Sequence, residues 1–184
     1  MAEDANAADE ERLMNEIHRF TSDQKLKFWG YGEWIEEPDE VTFQHNGIDC
    51  KIVRMAAPDG SNGEHMFGGH LCGYIRIPED SPYYQKHYDD VPIEAHGGLT
   101  YGRMDCIDAG YWIGFDCSHC DDYMPSLQYL KKTLPALIEI EKRSQERIKR
   151  FNLQDSLILR NSYKNIAFCI GECKSMADQL LVLK

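Results

Sequence analysis

Residues 41–54 read VTFQHNGIDCKIVR, and this stretch decides the fold of the chain. Two runs of β-branched and aromatic residues flank the dipeptide Asn46-Gly47. Asn-Gly is the preferred sequence of a two-residue type I′ turn, because both of its residues adopt positive φ angles at low cost. The stretch therefore predicts an antiparallel hairpin with strands at 41–45 and 48–54.

Further strands are predicted on the C-terminal side of this hairpin. The run LCGYIRI at 71–77 is followed by Pro78, and YWIGF at 111–115 has the same β-forming character. Between them, residues 79–95 are rich in Pro, Tyr and Asp and have no periodic pattern. Such a stretch predicts a long loop of the kind that carries binding residues on a rigid frame.

Apolar residues at helical spacing predict helices toward both ends of the chain. Residues 10–19 form a short amphipathic pattern, and residues 126–150 form a longer one that Pro135 interrupts. A third pattern spans residues 162–182, with Ser162 as the expected N-cap.

The order of these elements predicts the fold class. Strands come first and helices follow, which favours a single α+β domain in which C-terminal helices cover an antiparallel sheet. We assign residues 10–184 to this domain and expect residues 1–9 to be a disordered acidic tail.

The charge of the chain excludes some classes of function. Its 184 residues carry a formal net charge of −11, and residues 1–50 alone hold 13 acidic and 4 basic residues. Duplex nucleic acid is an unsuitable partner, because binding by phosphate neutralisation needs a basic face. No stretch approaches the ~20 apolar residues of a membrane span, and the N-terminus lacks the apolar core of a secretory signal. We therefore expect a cytoplasmic protein without a membrane partner.

Seven cysteines, an odd number at irregular spacing, argue against a disulfide framework. Cys117 and Cys120, together with Cys169 and Cys173, have the pairing of a structural zinc site. Buried free thiols that pack as small apolar side chains are a simpler interpretation. Cys117 is also a candidate nucleophile beside His119, provided that the chain turns there.

Three segments combine glycine with histidine or aspartate near the ends of predicted strands. They are GHLCGY at 69–74, HGGLTY at 96–101 and GFDCSH at 114–119. Glycine permits tight turns and lets a ligand approach the backbone closely. We expect the three segments to build one functional pocket.

The candidate catalytic residues are the titratable side chains of these segments, namely His70, His96, Asp116 and His119. Imidazole and carboxylate are ligand types of catalytic metals, so the same four residues are the candidate metal ligands for zinc or manganese. In a metal-free alternative one histidine acts as base and another as acid, while Asp116 fixes a tautomer.

Candidate ligand-binding residues lie beside them. The backbone amides around Gly97 and Gly98 can form an anion-binding nest. Hydroxyl groups and ring faces for the rest of a ligand are offered by Tyr74, Thr100, Tyr101 and Trp112. A nest for an anion beside aromatic rings suits a ligand that joins a phosphate to a ring. A small molecule of the nucleotide class is therefore the expected partner. The P-loop, the Gly-x-Ser-x-Gly elbow and the Gly-x-Gly-x-x-Gly fingerprint are absent from the sequence.

The same motifs, in the same order, resemble those of a family of small proteins encoded by bacteriophages and prophages. The resemblance covers about residues 66–183, and Cys120 departs from the family pattern. The family motifs correspond here to His70, His96, Asp116, Cys117, His119 and Asp122. The resemblance implies an accessory phage protein of the host cytoplasm, where such proteins often counter defences that signal through nucleotides.

Two functions of different classes follow. The first is a hydrolase that acts on a nucleotide or another phosphoester, with or without a divalent metal, and so counters host defence signalling. The second is a non-catalytic protein that sequesters a nucleotide signal. A third hypothesis is binding of a host protein through the acidic N-terminal third. The sequence does not decide the oligomeric state. A homo-oligomer is one alternative, because the helix at 162–182 can pair with a second chain as readily as cover its own sheet.

Overall fold

A hairpin forms at the Asn-Gly turn in the computed structural model, which describes residues 14–58, 66–105, 109–128 and 162–183 and the single residues 139, 142, 143 and 146. Strand β2 (Glu40–His45) pairs antiparallel with strand β3 (Ile48–Pro58). Asn46 and Gly47 have φ angles of 50° and 81°, as a type I′ turn requires. The hairpin predicted from the sequence is confirmed.

Four more strands extend this hairpin into a six-stranded antiparallel sheet of order β1-β2-β3-β4-β6-β5. The added strands are β1 (Asn15–Ile17), β4 (Met66–Ile77), β5 (Tyr101–Met104) and β6 (Tyr111–Asp116). The helices of the described residues include α1 (Ser22–Trp29) and α2 (Ile166–Val182), and short 3-10 turns span Glu33–Ile35 and Tyr88–Asp90. The predicted α+β class, an antiparallel sheet covered by a C-terminal helix, is confirmed.

Helix α2 covers one face of the sheet. Its buried side chains are Cys169, Cys173, Met176, Ala177 and Leu180. They pack against apolar residues of the central strands, and Gly73 of β4 leaves the room that the Phe115 ring and the Cys173 thiol occupy. The other face of the sheet carries the alternate residues of each strand, because successive side chains of a strand point to opposite sides.

The N-terminal helix predicted at 10–19 is wrong for residues 15–17, which form the edge strand β1. Pairing with β2 satisfies the backbone there, and the apolar side chains of Met14 and Ile17 stay exposed. The helix begins later, after the N-cap Thr21, whose side chain accepts a hydrogen bond from the backbone of Gln24. The Gln24 side chain accepts one from the Thr21 amide in return, which completes a capping box.

The start of α2 also differs from the prediction. Asn165, not Ser162, is the N-cap, and its side chain accepts a hydrogen bond from the Phe168 amide. Ser162 instead forms an isolated bridge with Asp122. Because Ser162 pairs with Asp122, the helix begins about one turn later in the chain than the apolar pattern predicts.

The predicted loop at 79–95 is present, and Val91 and Ile93 anchor it in the core. Most of the predicted helical stretch 126–150 and the whole predicted tail 1–9 lie outside the described residues. None of the described helices has the length and apolar character needed to cross a bilayer.

A cluster of buried charges joins the N-terminal segment to the sheet. The carboxylate of Asp39 is fully buried, as is the side chain of Lys25, whose Nζ lies 3.0 Å from Asp39 Oδ1. Arg54 of β3 is also buried, and its Nε lies 2.9 Å from the same oxygen. The backbone amides of Arg19 and Phe20 donate to the other oxygen at 2.8 and 2.9 Å. Both oxygens of Asp39 are therefore satisfied.

Arg54 extends this cluster to the rest of the chain. Its guanidinium donates to the Gly69 carbonyl at 2.8 Å, to the Tyr163 hydroxyl at 2.7 Å and to Glu37 Oε2 at 2.8 Å. The other oxygen of Glu37 accepts a hydrogen bond from the Ile166 amide at the start of α2. The cluster thus connects strands β3 and β4 to the C-terminal helix.

We expect Asp39→Ala to destabilise the fold by about 3–5 kcal/mol, because it leaves the buried charges of Lys25 and Arg54 without their shared partner. Urea unfolding followed by circular dichroism measures the loss. Asp49→Ala is the matched control, since Asp49 pairs with Arg76 at 3.5 Å in a half-exposed position and should cost at most about 1 kcal/mol. Equal losses in the two variants would contradict the role assigned to the buried cluster.

Candidate metal centre and adjoining cavity

Two imidazoles meet one carboxylate at the end of strand β6. Nε2 of His96 lies 2.9 Å from both oxygens of Asp122. Nδ1 of His119 lies 3.2 Å from Asp122 Oδ2, and the His119 amide donates to the same oxygen at 3.0 Å. The two rings stand edge to face with their centroids 5.3 Å apart. We call His96, His119 and Asp122 the His-His-Asp cluster.

Helix α2 holds His96 in place from two directions. The His96 amide donates to Glu172 Oε2 at 2.9 Å. Two residues earlier, Glu94 exchanges two hydrogen bonds with the Gln179 side chain, at 2.8 and 2.9 Å. Glu172 and Gln179 are seven residues apart and so lie on the same face of the helix. The Phe168 ring, with its centroid 5.2 Å from that of His96, completes the support.

His119 depends on two local features. The segment that follows β6 turns at Asp116, whose Oδ1 accepts hydrogen bonds from the Ser118 amide and hydroxyl. The imidazole of His119 then packs directly on Gly97, where an added Cβ would overlap the ring. Gly97 has a φ of +67°, so glycine is required there for both backbone and packing reasons.

Asp122 is the best-enclosed member of the cluster, with a side chain that is 0% exposed. The Asp122 amide donates to the His119 carbonyl at 3.0 Å, and the Tyr123 amide donates to the Ser162 carbonyl at 3.1 Å. Lys164 Nζ lies 3.8 Å from Asp122 Oδ1. A buried carboxylate needs such partners, because a buried charge without them is costly.

The cluster is suited to hold a divalent cation. One potential ligand atom of each residue lies within 4.8 Å of the others. A tetrahedral ion with bonds of about 2.1 Å separates its ligand atoms by about 3.4 Å. The imidazole–carboxylate contacts of 2.9 and 3.2 Å need to lengthen by a few tenths of an ångström, and the widest separation in the cluster, at most 4.8 Å, needs to shorten by up to about 1.4 Å. Two imidazoles and one carboxylate are a common set at catalytic zinc, where a fourth position is left for water. Among the described residues, His96, His119 and Asp122 are the three ligand side chains that come together in this way.

A cavity of about 390 Å³ lies beside the cluster, between strands β3 to β6 and the segment that follows β6. Its titratable lining includes His70 and Asp116, and Ser118 lies next to His119 of the cluster. Tyr74, Tyr101 and Thr100 contribute hydroxyl groups, while Met55 and Phe67 contribute apolar surface. Apolar walls with a few polar groups are the usual composition of a small-molecule site.

His70 and Asp116, which both line the cavity, have opposite characters. Burial lowers the pKa of His70, although the charges of Asp116 and Asp122 partly oppose this effect. Burial alone would raise the pKa of Asp116, but hydrogen bonds from Ser118 and Thr100 and the nearby His119 outweigh it and lower the pKa. At neutral pH the cavity therefore holds a neutral imidazole and an anionic carboxylate.

The four residues predicted as metal ligands and catalysts divide into two pairs. His96 and His119 belong to the cluster, whereas His70 and Asp116 line the cavity. The carboxylate between the two imidazoles is Asp122 instead of Asp116, whose side-chain partners are Ser118 and Thr100. The chain turns at 116–122, and this brings the pair His119 and Asp122 together.

The predicted ligand-binding residues also separate. Tyr74, Thr100 and Tyr101 line the larger cavity, while Trp112 lines a neighbouring one of about 160 Å³. The Gly98 amide donates to the Ala95 carbonyl at 2.9 Å within a turn, which leaves it unsuited to an anion-binding nest. The role of Gly97 is to accommodate His119.

The cysteines that the structure describes behave mainly as core residues. Cys50, Cys72, Cys117, Cys169 and Cys173 are buried, and Cys120 is exposed. The thiols of Cys117 and Cys169 lie 3.8 Å apart, and their hydrogen bond, with burial, raises the pKa of Cys117. A thiol of this kind is a poor nucleophile. The predicted four-cysteine zinc group does not assemble within the described part of the chain.

The motif chemistry of the sequence does not point to Glu172 or Gln179, and it reaches Asp122 only through the phage-family resemblance. The order His119-x-x-Asp122 is nevertheless a signal for Asp122, because it brings the two side chains together at a turn. Glu172 and Gln179 are separated by two helical turns, a spacing that marks one face of α2 but names no partner. Their partners come from a loop about 80 residues earlier, which only the tertiary structure shows.

Comparisons of the chain with models of known families, with curated proteins and with solved structures find no significant match. The assignment of this centre therefore depends on its geometry and chemistry.

Gly97→Ala should displace His119 from the cluster, because the added methyl group overlaps the imidazole. Histidine ring signals in a ¹H–¹⁵N NMR spectrum report the displacement. Gly98→Ala is the matched control: its φ is +91°, but an added Cβ would meet no atom within 4 Å. Both variants carry backbone strain of about 1 kcal/mol, and only Gly97→Ala should move the His119 signals. Unmoved signals in Gly97→Ala would contradict this packing.

His70 should make the folded protein less stable as the pH falls below about 6.5, the ordinary pKa of histidine. The pKa of His70 is lowered in the folded state, so the unfolded chain binds the proton more readily. The free energy of unfolding therefore decreases as the pH falls. Urea midpoints at pH 7.5 and 5.5 test this, with a smaller decrease expected for His70→Gln than for the wild type. His87→Gln, a change at an exposed position, should leave the decrease unaltered. Equal decreases in all three proteins would contradict the buried, neutral state of His70.

Proposed function

We propose that the protein is a metal-dependent hydrolase of a nucleotide or a related phosphoester. The observation that carries the proposal is the His-His-Asp cluster, in which His96, His119 and Asp122 present three ligand atoms to one point. Zinc fits this donor set best, and manganese is the second choice. The His96 amide donates to Glu172 outside the cluster, and the His119 amide donates to Asp122 within it. Hydrogen bonds of this kind fix the orientation of the ligands in metal sites.

A divalent ion at the cluster would lower the pKa of a bound water and supply hydroxide near neutral pH. Asp122 keeps both imidazoles oriented for this role, since each ring already directs one nitrogen to its carboxylate. His70 faces the adjoining cavity with a neutral imidazole, so it can accept a proton there. His70 is therefore our candidate general base.

The biological setting of the proposal comes from the phage-family resemblance. A protein of that kind acts in the cytoplasm of the host, and a nucleotide hydrolase there removes a signal on which a defence depends. The two parts of the proposal are separable, because the hydrolase activity is argued from the centre alone.

A second candidate function is sequestration of a nucleotide without cleavage. The observation that favours it is the cavity of about 390 Å³, whose tyrosine and polar lining can hold a ligand with no metal present. Sequestration does not account for the His-His-Asp cluster, and for that reason we place it second.

Incubation of the purified protein with cyclic and linear nucleotides, with and without Zn²⁺ or Mn²⁺, tests the proposal. We expect a hydrolysed product, identified by mass spectrometry, only in the presence of metal. His119→Ala should bind no stoichiometric metal and should lower turnover by at least about 100-fold, because it removes a metal ligand. Bound metal is measured by elemental analysis after dialysis.

His45→Ala provides the matched control. It removes a histidine that lies 2.9 Å from a carboxylate, that of Asp178, in a different part of the fold. This variant should keep both metal and turnover. The proposal would be refuted if the wild-type protein bound neither metal, or if the His119→Ala variant hydrolysed nucleotide as fast as the wild type. A nucleotide recovered intact from the protein would establish sequestration.

A further inference from the structure

The cavity beside the cluster has a wall of two tyrosine rings that are fixed in place. Tyr74 packs directly on Gly114 of the neighbouring strand, where an added Cβ would overlap its ring. Tyr101 stands edge to face with Tyr74, with centroids 5.1 Å apart and an interplanar angle of 76°. Because both rings are held by the sheet, they offer a preorganised aromatic surface.

The polar groups of the cavity are also set in defined positions. Asp116 is oriented by hydrogen bonds from Ser118 and Thr100. The Nδ1 atom of His70 is buried and has no hydrogen-bond partner. A buried nitrogen without a partner is costly. Asp116 is therefore the oriented polar group that a ligand in the cavity can reach.

The charge of the lining determines which part of a substrate fits. Asp116 supplies a negative charge, and among the residues that the structure describes the lining of the cavity holds no Lys or Arg. A phosphate group placed in the cavity would meet the Asp116 carboxylate, which is unfavourable. The cavity therefore suits an uncharged, partly apolar group that can donate hydrogen bonds.

We propose that this cavity is the nucleoside subsite of the protein. An aromatic base lies against Tyr74 and Tyr101, donor groups of the base or sugar bond to Asp116, and the phosphate extends toward the His-His-Asp cluster. The phosphate half of this arrangement rests on the proposed hydrolase function. The nucleoside half rests on the cavity alone, so the two can be tested separately.

The test uses metal-free wild-type protein and four nucleosides, adenosine, guanosine, cytidine and uridine, with binding followed by saturation-transfer NMR and calorimetry. At least one nucleoside should bind, while ribose 5-phosphate and inorganic phosphate should not. Tyr74→Leu should raise the Kd for that nucleoside by at least about fivefold, which is the smallest loss of affinity expected when a base–aromatic contact is removed. Tyr101→Leu gives a second test if Tyr74→Leu does not fold.

Two control variants isolate the subsite. Tyr31→Leu changes a tyrosine that is 78% exposed and away from the cavity lining, so nucleoside binding should stay unchanged. His119→Ala removes a ligand of the proposed metal but no lining residue of the cavity, so it should also keep nucleoside binding.

The outcomes separate this inference from the proposed function. Nucleoside binding that depends on the tyrosines supports the subsite even if no turnover is found, and the hydrolase proposal alone then fails. Metal-dependent turnover whose KM is unchanged in Tyr74→Leu and Tyr101→Leu supports the hydrolase and overturns the subsite. Absence of nucleoside binding, or binding that both tyrosine variants retain in full, overturns it as well.

Discussion

The carboxylate of Asp39 lies where the N-terminal segment, helix α1 and strand β3 meet. Four groups converge on it, namely the side chains of Lys25 and Arg54 and the backbone amides of Arg19 and Phe20. Since all three side chains are withdrawn from water, none can be removed without exposing a partner's charge to an apolar surrounding. The buried ion cluster therefore constrains how α1 and the sheet can be placed relative to each other.

The same constraint reaches the candidate metal centre. Arg54 binds the carbonyl of Gly69, the residue before His70, and the hydroxyl of Tyr163. The segment around Tyr163 in turn forms the bridge between Ser162 and Asp122 and brings Lys164 to 3.8 Å from the Asp122 carboxylate. The buried ion cluster and the candidate metal centre are thus connected through a short piece of chain around Tyr163.

The site itself is built from parts on both sides of the sheet. Helix α2 packs on one face and fixes His96 through Glu172 and Gln179, while the cavity with Tyr74 and Asp116 uses residues of the opposite face. Strand β6 joins the two, because Phe115 packs in the α2-covered core and Asp116, the next residue, points to the cavity. The His-His-Asp cluster and the cavity are thus both connected to the C-terminal end of strand β6.

The sequence by itself determined the hairpin, the central strands and the burial of most cysteines, because Asn-Gly turn chemistry, β-forming runs and apolar spacing act locally. It also placed His96 and His119 in one candidate set, and their rings lie 5.3 Å apart in the structure. Only the tertiary structure decided that Asp122 joins them while His70 and Asp116 line a cavity, and that residues 15–17 form an edge strand instead of a helix. These outcomes depend on contacts between residues far apart in the chain, such as His96 with Asp122 and Asn15 with Thr42, and no local pattern encodes such contacts.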